Sequence, residues 1–112
     1  MHEMTALKDV LIEGLDDWVP IDQLLWAAGE YPAGRTRQER LVELLRYALS
    51  SGLIEVGELM ETGFVAWTGD ADEQVRRVTA DLDRLDWAPQ LGSSVWLSNT
   101  AKGDELARRQ SG

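Results

Sequence analysis

A chain of 112 residues, 44% hydrophobic and 28% charged, has the composition of one globular domain with a single core. It has no cysteine, which excludes disulfides, thiolate metal sites and cysteine nucleophiles, and no apolar run approaches the roughly 18 residues of a bilayer crossing. Twenty acidic against 11 basic residues leave a net charge of −9, a field that repels polyanions and favours basic partners. With no signal-peptide pattern at its start, the chain is expected to be a cytoplasmic single domain over residues 1–112.

Met4, Leu7, Leu11 and Leu15 recur at helical spacing and predict a first helix over residues 4–14, ended by Gly14. Asp16-Asp17 signals a turn, and Trp18-Val19 has room only for a bridge-length strand. Pro20 suits the first turn of a second, short helix carried by Ile21, Leu24, Leu25 and Ala28 and stopped at Gly29. Residues 30–34, EYPAG, read as loop. Thr36 with Glu39 has capping-box spacing, and Leu41, Leu44, Leu45, Ala48 and Leu49 form one apolar stripe. Gly52 suits a left-handed helix stop, after which Leu53, Ile54 and Val56 are strand-type residues.

Beyond Glu58 the pattern changes. Phe64 to Trp67 reads as a strand bounded by Gly63 and Gly69. Asp70 and Glu73 repeat the capping spacing ahead of Ala71, Val75, Val78, Leu82 and Leu85, which predict an amphipathic helix over residues 71–86. Pro89 and Gly92 interrupt, Val95 to Leu97 reads as a last strand, and Thr100 caps a short final helix with residues 108–112 expected to fray.

Charge is unevenly distributed. Residues 1–34 sum to −6, residues 35–46 to +2, and residues 47–112 to −5. The positive stretch comes from Arg35, Arg37, Arg40 and Arg46 around the capped helix, where Arg37, Arg40 and Arg46 are expected to point outward. Glu39 and Glu43 stand among them, so pairs such as Arg40–Glu43 or Glu43–Arg46 are expected on a solvated helix face.

The order helix, short strand, helix, helix, strand, insert, strand resembles a winged helix-turn-helix domain of the MarR-like and PadR-like kind. The likeness is carried by Leu41–Glu58, a long helix ending SSGLIEV, and by Val95–Leu106, VWLSNTAKGDEL, in which Thr100-Ala101-Lys102-Gly103 supplies T-x-x-G and Asn99 replaces the usual leucine. The resemblance implies an α+β, winged-helix-like fold with three N-terminal helices, a small antiparallel sheet and one inserted helix between the wing strands. It also implies a recognition helix at residues 36–51, with Arg35, Arg37, Arg40 and Arg46 as DNA contacts. Where those regulators carry a short, often basic wing turn, residues 58–94 form an acidic helical insert with eight acids against Arg76, Arg77 and Arg84. A net −5 segment beside phosphates opposes the electrostatic term that dominates non-specific binding.

Residue demands of catalysis go unmet. His2 is the one histidine, and the chain contains no nucleophile elbow, phosphate-cradling loop or dinucleotide fingerprint. Asp70-Ala71-Asp72-Glu73 fits a helix start, where acids meet the positive dipole end, better than a metal site. No enzyme activity and no cofactor are expected. Five tryptophans suit core packing first, with Trp26, beside its helix stripe, and Trp87, at a helix end, as the more exposed members. Trp26, Tyr31 and Tyr47 are expected to form an aromatic patch near residues 30–34, a protein-binding surface or dimer seam to which Trp87 adds a further candidate. The leading expectation is therefore a non-enzymatic acidic interaction module that binds a basic protein or itself, as an antitoxin or immunity protein would. The competing one is a winged-helix transcription regulator.

Overall fold

The structure, a computed structural model, describes residues 2–15, 17–30, 36–87 and 95–111. Among these, the elements run α1 (His2–Glu13), β1 (Val19–Pro20), α2 (Ile21–Glu30), α3 (Arg37–Ser50), β2 (Ile54–Met60), β3 (Gly63–Ala66), α4 (Ala71–Arg84), β4 (Trp96–Asn99) and α5 (Ala101–Ser111). The strands form one antiparallel sheet in the order β1-β4-β2-β3, and the architecture is α+β.

Helix α3 is fixed at both ends by its own sequence. The Thr36 hydroxyl accepts from the Glu39 amide at 3.1 Å, and the Glu39 carboxylate accepts from the Thr36 amide at 3.0 Å. At the other end Gly52 takes φ +72°. Its N–H donates to the Leu49 carbonyl at 3.1 Å, while the Leu53 N–H reaches the Ala48 carbonyl at 2.9 Å. This double bond pattern closes the helix and points the chain straight into β2. Between the two caps, Leu41, Leu44, Leu45 and Ala48 are completely buried.

The same economy governs the start of α5. The Thr100 hydroxyl accepts from the Gly103 N–H at 3.1 Å and donates to the Gly52 carbonyl at 2.6 Å. The Thr100 N–H donates to the Leu53 carbonyl at 3.0 Å. Gly103 lies so close to that carbonyl that a Cβ would stand 2.0 Å from its oxygen. Threonine thus caps α5 while the glycine allows it to touch β2. One residue earlier, the Asn99 side-chain amide donates to the Leu11 carbonyl at 2.8 Å and so ties β4 to α1.

Pro20, expected inside a helix, is instead the last residue of β1 opposite Trp96, and α2 begins at Ile21. The Ile21 N–H donates to Val95, so the position without an N–H faces the open side of the sheet, where proline is tolerated. Residues 58–94 hold more than a helix. Glu58 to Met60 lengthen β2, a two-residue turn at Glu61-Thr62 leads into β3, and α4 follows. The α5 helix continues through Ser111, into the stretch expected to fray.

Helix α4 packs along α3, burying Val75, Val78 and Leu82. Apolar burial at roughly 1.5–3 kcal/mol per side chain outweighs any surface ion pair, each about 0–1 kcal/mol. Packing therefore holds α4 in place, and ion pairs only trim its orientation. None of the described helices is long and apolar enough to cross a membrane.

Candidate interaction surface

The candidate DNA-binding arginines do not converge on one described face. Arg37 is exposed in the first turn of α3. Arg40, expected outward, is only 1% exposed, with one guanidinium nitrogen 3.4 Å from Glu43. It sits one turn before Leu44, and a long side chain that leans back along the helix is covered with the stripe it borders. Arg46 does not pair along α3 with Glu43 but crosses to Asp72 of α4 at 3.1 Å. Arg35 lies outside the described residues.

A second arginine fastens α4 to the sheet. Arg77 lies over the Trp67 ring at 3.8 Å from its centroid and donates to Glu58 at 3.1 Å, and the same carboxylate oxygen accepts from the Trp67 indole at 3.3 Å. The aromatic face and the carboxylate together satisfy the cation. The insert thus engages one arginine of α3, Arg46, and two of its own, Arg77 with Glu58 and Arg84 with Asp81, in bonds within the molecule.

The aromatic patch expected around Trp26 is divided. Trp26 is 62% exposed and borders a groove of about 300 Å³ between α1 and α2, with Asp9, Val10, Ile12, Glu13, Gln23 and Ala27. Tyr47 is exposed on α3 and does not line that groove. Tyr31 lies outside the described residues. Trp87, expected among the exposed tryptophans, is half-buried against the core. Asp86 and Trp87 both take left-handed backbone, φ 53° and 57°, which turns the chain back after α4. The Trp87 indole then donates to Asp83 at 2.6 Å.

A different apolar surface emerges at the β2–β3 hairpin. Met60 is 54% exposed, Val65 47% and Trp18 40%, with Leu59 also exposed. Trp18 stacks on Phe64 with ring centroids 6.4 Å apart and planes inclined by 22°. Leu59 stands directly opposite Phe64 in the ladder. Residues 54–66 carry Glu55, Glu58 and Glu61 and no lysine or arginine, and Asp17 precedes Trp18. The result is an apolar tip rimmed by carboxylates. Its sequence signal was available in Leu59-Met60-Glu61-Thr62-Gly63-Phe64-Val65, two apolar pairs about a turn, but exposure is settled by what covers them.

For other chemistry the described residues offer little. No group of three or more His, Asp or Glu side chains among them could hold a metal ion. Asp70 acts as the N-cap of α4, accepting from the Glu73 amide at 2.9 Å, and Asp72 is engaged by Arg46. No protein-family model, curated protein or solved structure matches this chain.

Proposed function

We propose that the chain is a non-enzymatic, acidic protein-interaction module of winged-helix type that docks a basic protein partner. The observation that carries this reading is the exposed Trp18–hairpin tip, apolar at its centre and carboxylate at its rim. The tip presents these side chains on both faces of the hairpin, Met60 and Val65 on one and Leu59 with the Trp18–Phe64 stack on the other, and their desolvation drives association. The surrounding negative charge selects the partner and speeds its approach.

The winged-helix part of the proposal is supported by the order α1, β1, α2, α3, β2 and β4, with β1 and β2 both antiparallel to β4. In this reading β3 and α4 stand where the wing turn of a DNA-binding relative would be. Burial of Arg40 and engagement of Arg46 by Asp72 weigh against α3 as a DNA-reading helix. So does the overall charge of −9.

Two measurements test the proposal together. The immobilised chain is expected to retain a stoichiometric protein partner at low ionic strength and release it at high, while a labelled DNA duplex fails to bind. Duplex binding that falls steeply with salt and is lost on Arg37→Ala would overturn the proposal in favour of a DNA-binding regulator.

A further inference from the structure

Among the described residues, strand β3 is the last in the sheet order and pairs only with β2, with no described strand on its other flank. One bond sets the parity of its ladder: the Trp67 N–H donates to the Val56 carbonyl at 2.8 Å. With Glu58 opposite Val65 and Met60 opposite Gly63, the backbone groups of residues 63, 65 and 67 point at β2. Those of Phe64 and Ala66 therefore point away. Among the described residues, no backbone group outside the sheet bonds to either. The flank is thus a row of donors and acceptors next to the exposed Val65, Met60 and Trp18.

We infer that the β3 edge accepts an extended segment of the partner protein as an added strand, and that this segment alternates apolar with basic residues. The inference rests on the interaction-module reading and gives its docking mode. Backbone pairing with Phe64 and Ala66 provides the register, and apolar side chains of the segment cover Val65 and Met60. The charge of the flank selects the alternate residues: Glu55 and Glu61 are exposed, with no lysine or arginine between residues 54 and 66, while Glu58 is already held by Arg77. A second copy of the chain is a poor occupant, because its own hairpin would bring the same carboxylates against these.

The test is an anisotropy titration at low ionic strength with a fluorescein-labelled peptide of alternating lysine and valine. Ala66→Pro removes only the outward N–H and leaves the β2-facing groups in place, a substitution an edge strand accommodates. Its circular dichroism and urea midpoint report whether the fold survives. The same peptide N-methylated at alternate amides removes the pairing from the other side, so the test stands even if Ala66→Pro unfolds the chain. The unmodified peptide should bind the wild type, and either change should weaken it by at least about tenfold, the equivalent of one to two hydrogen bonds. Glu61→Lys should weaken binding and flatten its salt dependence, and a glutamate–valine peptide should not bind. Equal binding of methylated and unmethylated peptides, or of wild type and folded Ala66→Pro, would overturn the inference. So would a wild-type dimer in sedimentation equilibrium that Ala66→Pro dissociates. If both wild type and Ala66→Pro retain one protein partner equally at low salt, the edge inference fails while the interaction-module reading stands. If the wild type binds duplex DNA but neither peptide nor protein, both fail.

Discussion

Gly103 offers a sharp test because two local rules disagree about it. It lies inside helix α5, where replacing glycine by alanine normally gains about 1 kcal/mol of helix propensity. Yet an added Cβ would stand 2.0 Å from the backbone oxygen of Leu53, an atom with no rotamer through which to escape. Restoring ordinary contact at 3.4 Å requires α5 and the start of β2 to part by about 1.4 Å. That displacement stretches the bond from the Thr100 N–H to Leu53, now 3.0 Å, and the bond from its hydroxyl to Gly52, now 2.6 Å. Two hydrogen bonds at about 1 kcal/mol each, plus about 1–3 kcal/mol of overpacking, exceed the propensity gain. Gly103→Ala is therefore expected to destabilise by about 2–4 kcal/mol. In urea, with a slope of about 1–3 kcal/mol/M, the midpoint should fall by on the order of 1 M. A midpoint that stays or rises would refute the close approach of α5 to β2.

Thr36→Ala removes the hydroxyl half of the capping box, leaving the backbone N–H that donates to Glu39, and should cost about 1 kcal/mol, read from urea melts, with Thr36→Ser retaining most of it. Arg40→Ala should cost about 2–4 kcal/mol, the behaviour of a buried side chain, and Arg40→Met should recover part of that by refilling the volume. A loss within about 0.5 kcal/mol would place Arg40 at the surface after all. The Arg46–Asp72 pair, with side chains 51% and 67% exposed, should show a double-mutant coupling below about 1 kcal/mol that disappears at high salt.

Features of the fold written in the sequence are those whose physics is local. The caps at Thr36, Gly52, Asp70 and Thr100 need only neighbours within a few residues; each is made, with the reciprocal box bond at Thr36–Glu39 and the N-cap half alone at Asp70–Glu73. Arg40, Trp87 and the hairpin tip depend on distant contacts. Arg40 flanks a stripe predicted from leucine and alanine positions alone, while its burial depends on what the folded helix packs against. Trp87 turns inward because two consecutive residues adopt left-handed backbone, for which Asp86-Trp87 carries no glycine signal. Leu59 and Met60 look like ordinary strand residues; Met60 is exposed because the strand runs past the helices that cover Ile54 and Val56, and Leu59 because it points to the opposite face, with Glu55.

The insert then has two effects that bear on function in the same direction. Laid along α3, it buries Val75, Val78 and Leu82 and takes Arg46 into a pair with Asp72. Through Arg77 it clasps Glu58 and Trp67, bracing the hairpin from the side of α4. Both contacts pair surface cations with carboxylates of the same chain, whereas Glu55 and Glu61 remain exposed at the hairpin. In the proposed winged-helix reading, a basic wing in this position would extend the positive stretch of residues 35–46, and the insert reverses that polarity while adding an exposed apolar edge. Polarity, and not element order, then decides which partner approaches: Coulomb attraction falls with distance and salt but acts before any side chain makes contact. With a net charge of −9, Arg46 paired with Asp72 and Arg77 paired with Glu58, the proposed partner is a cationic protein and not DNA.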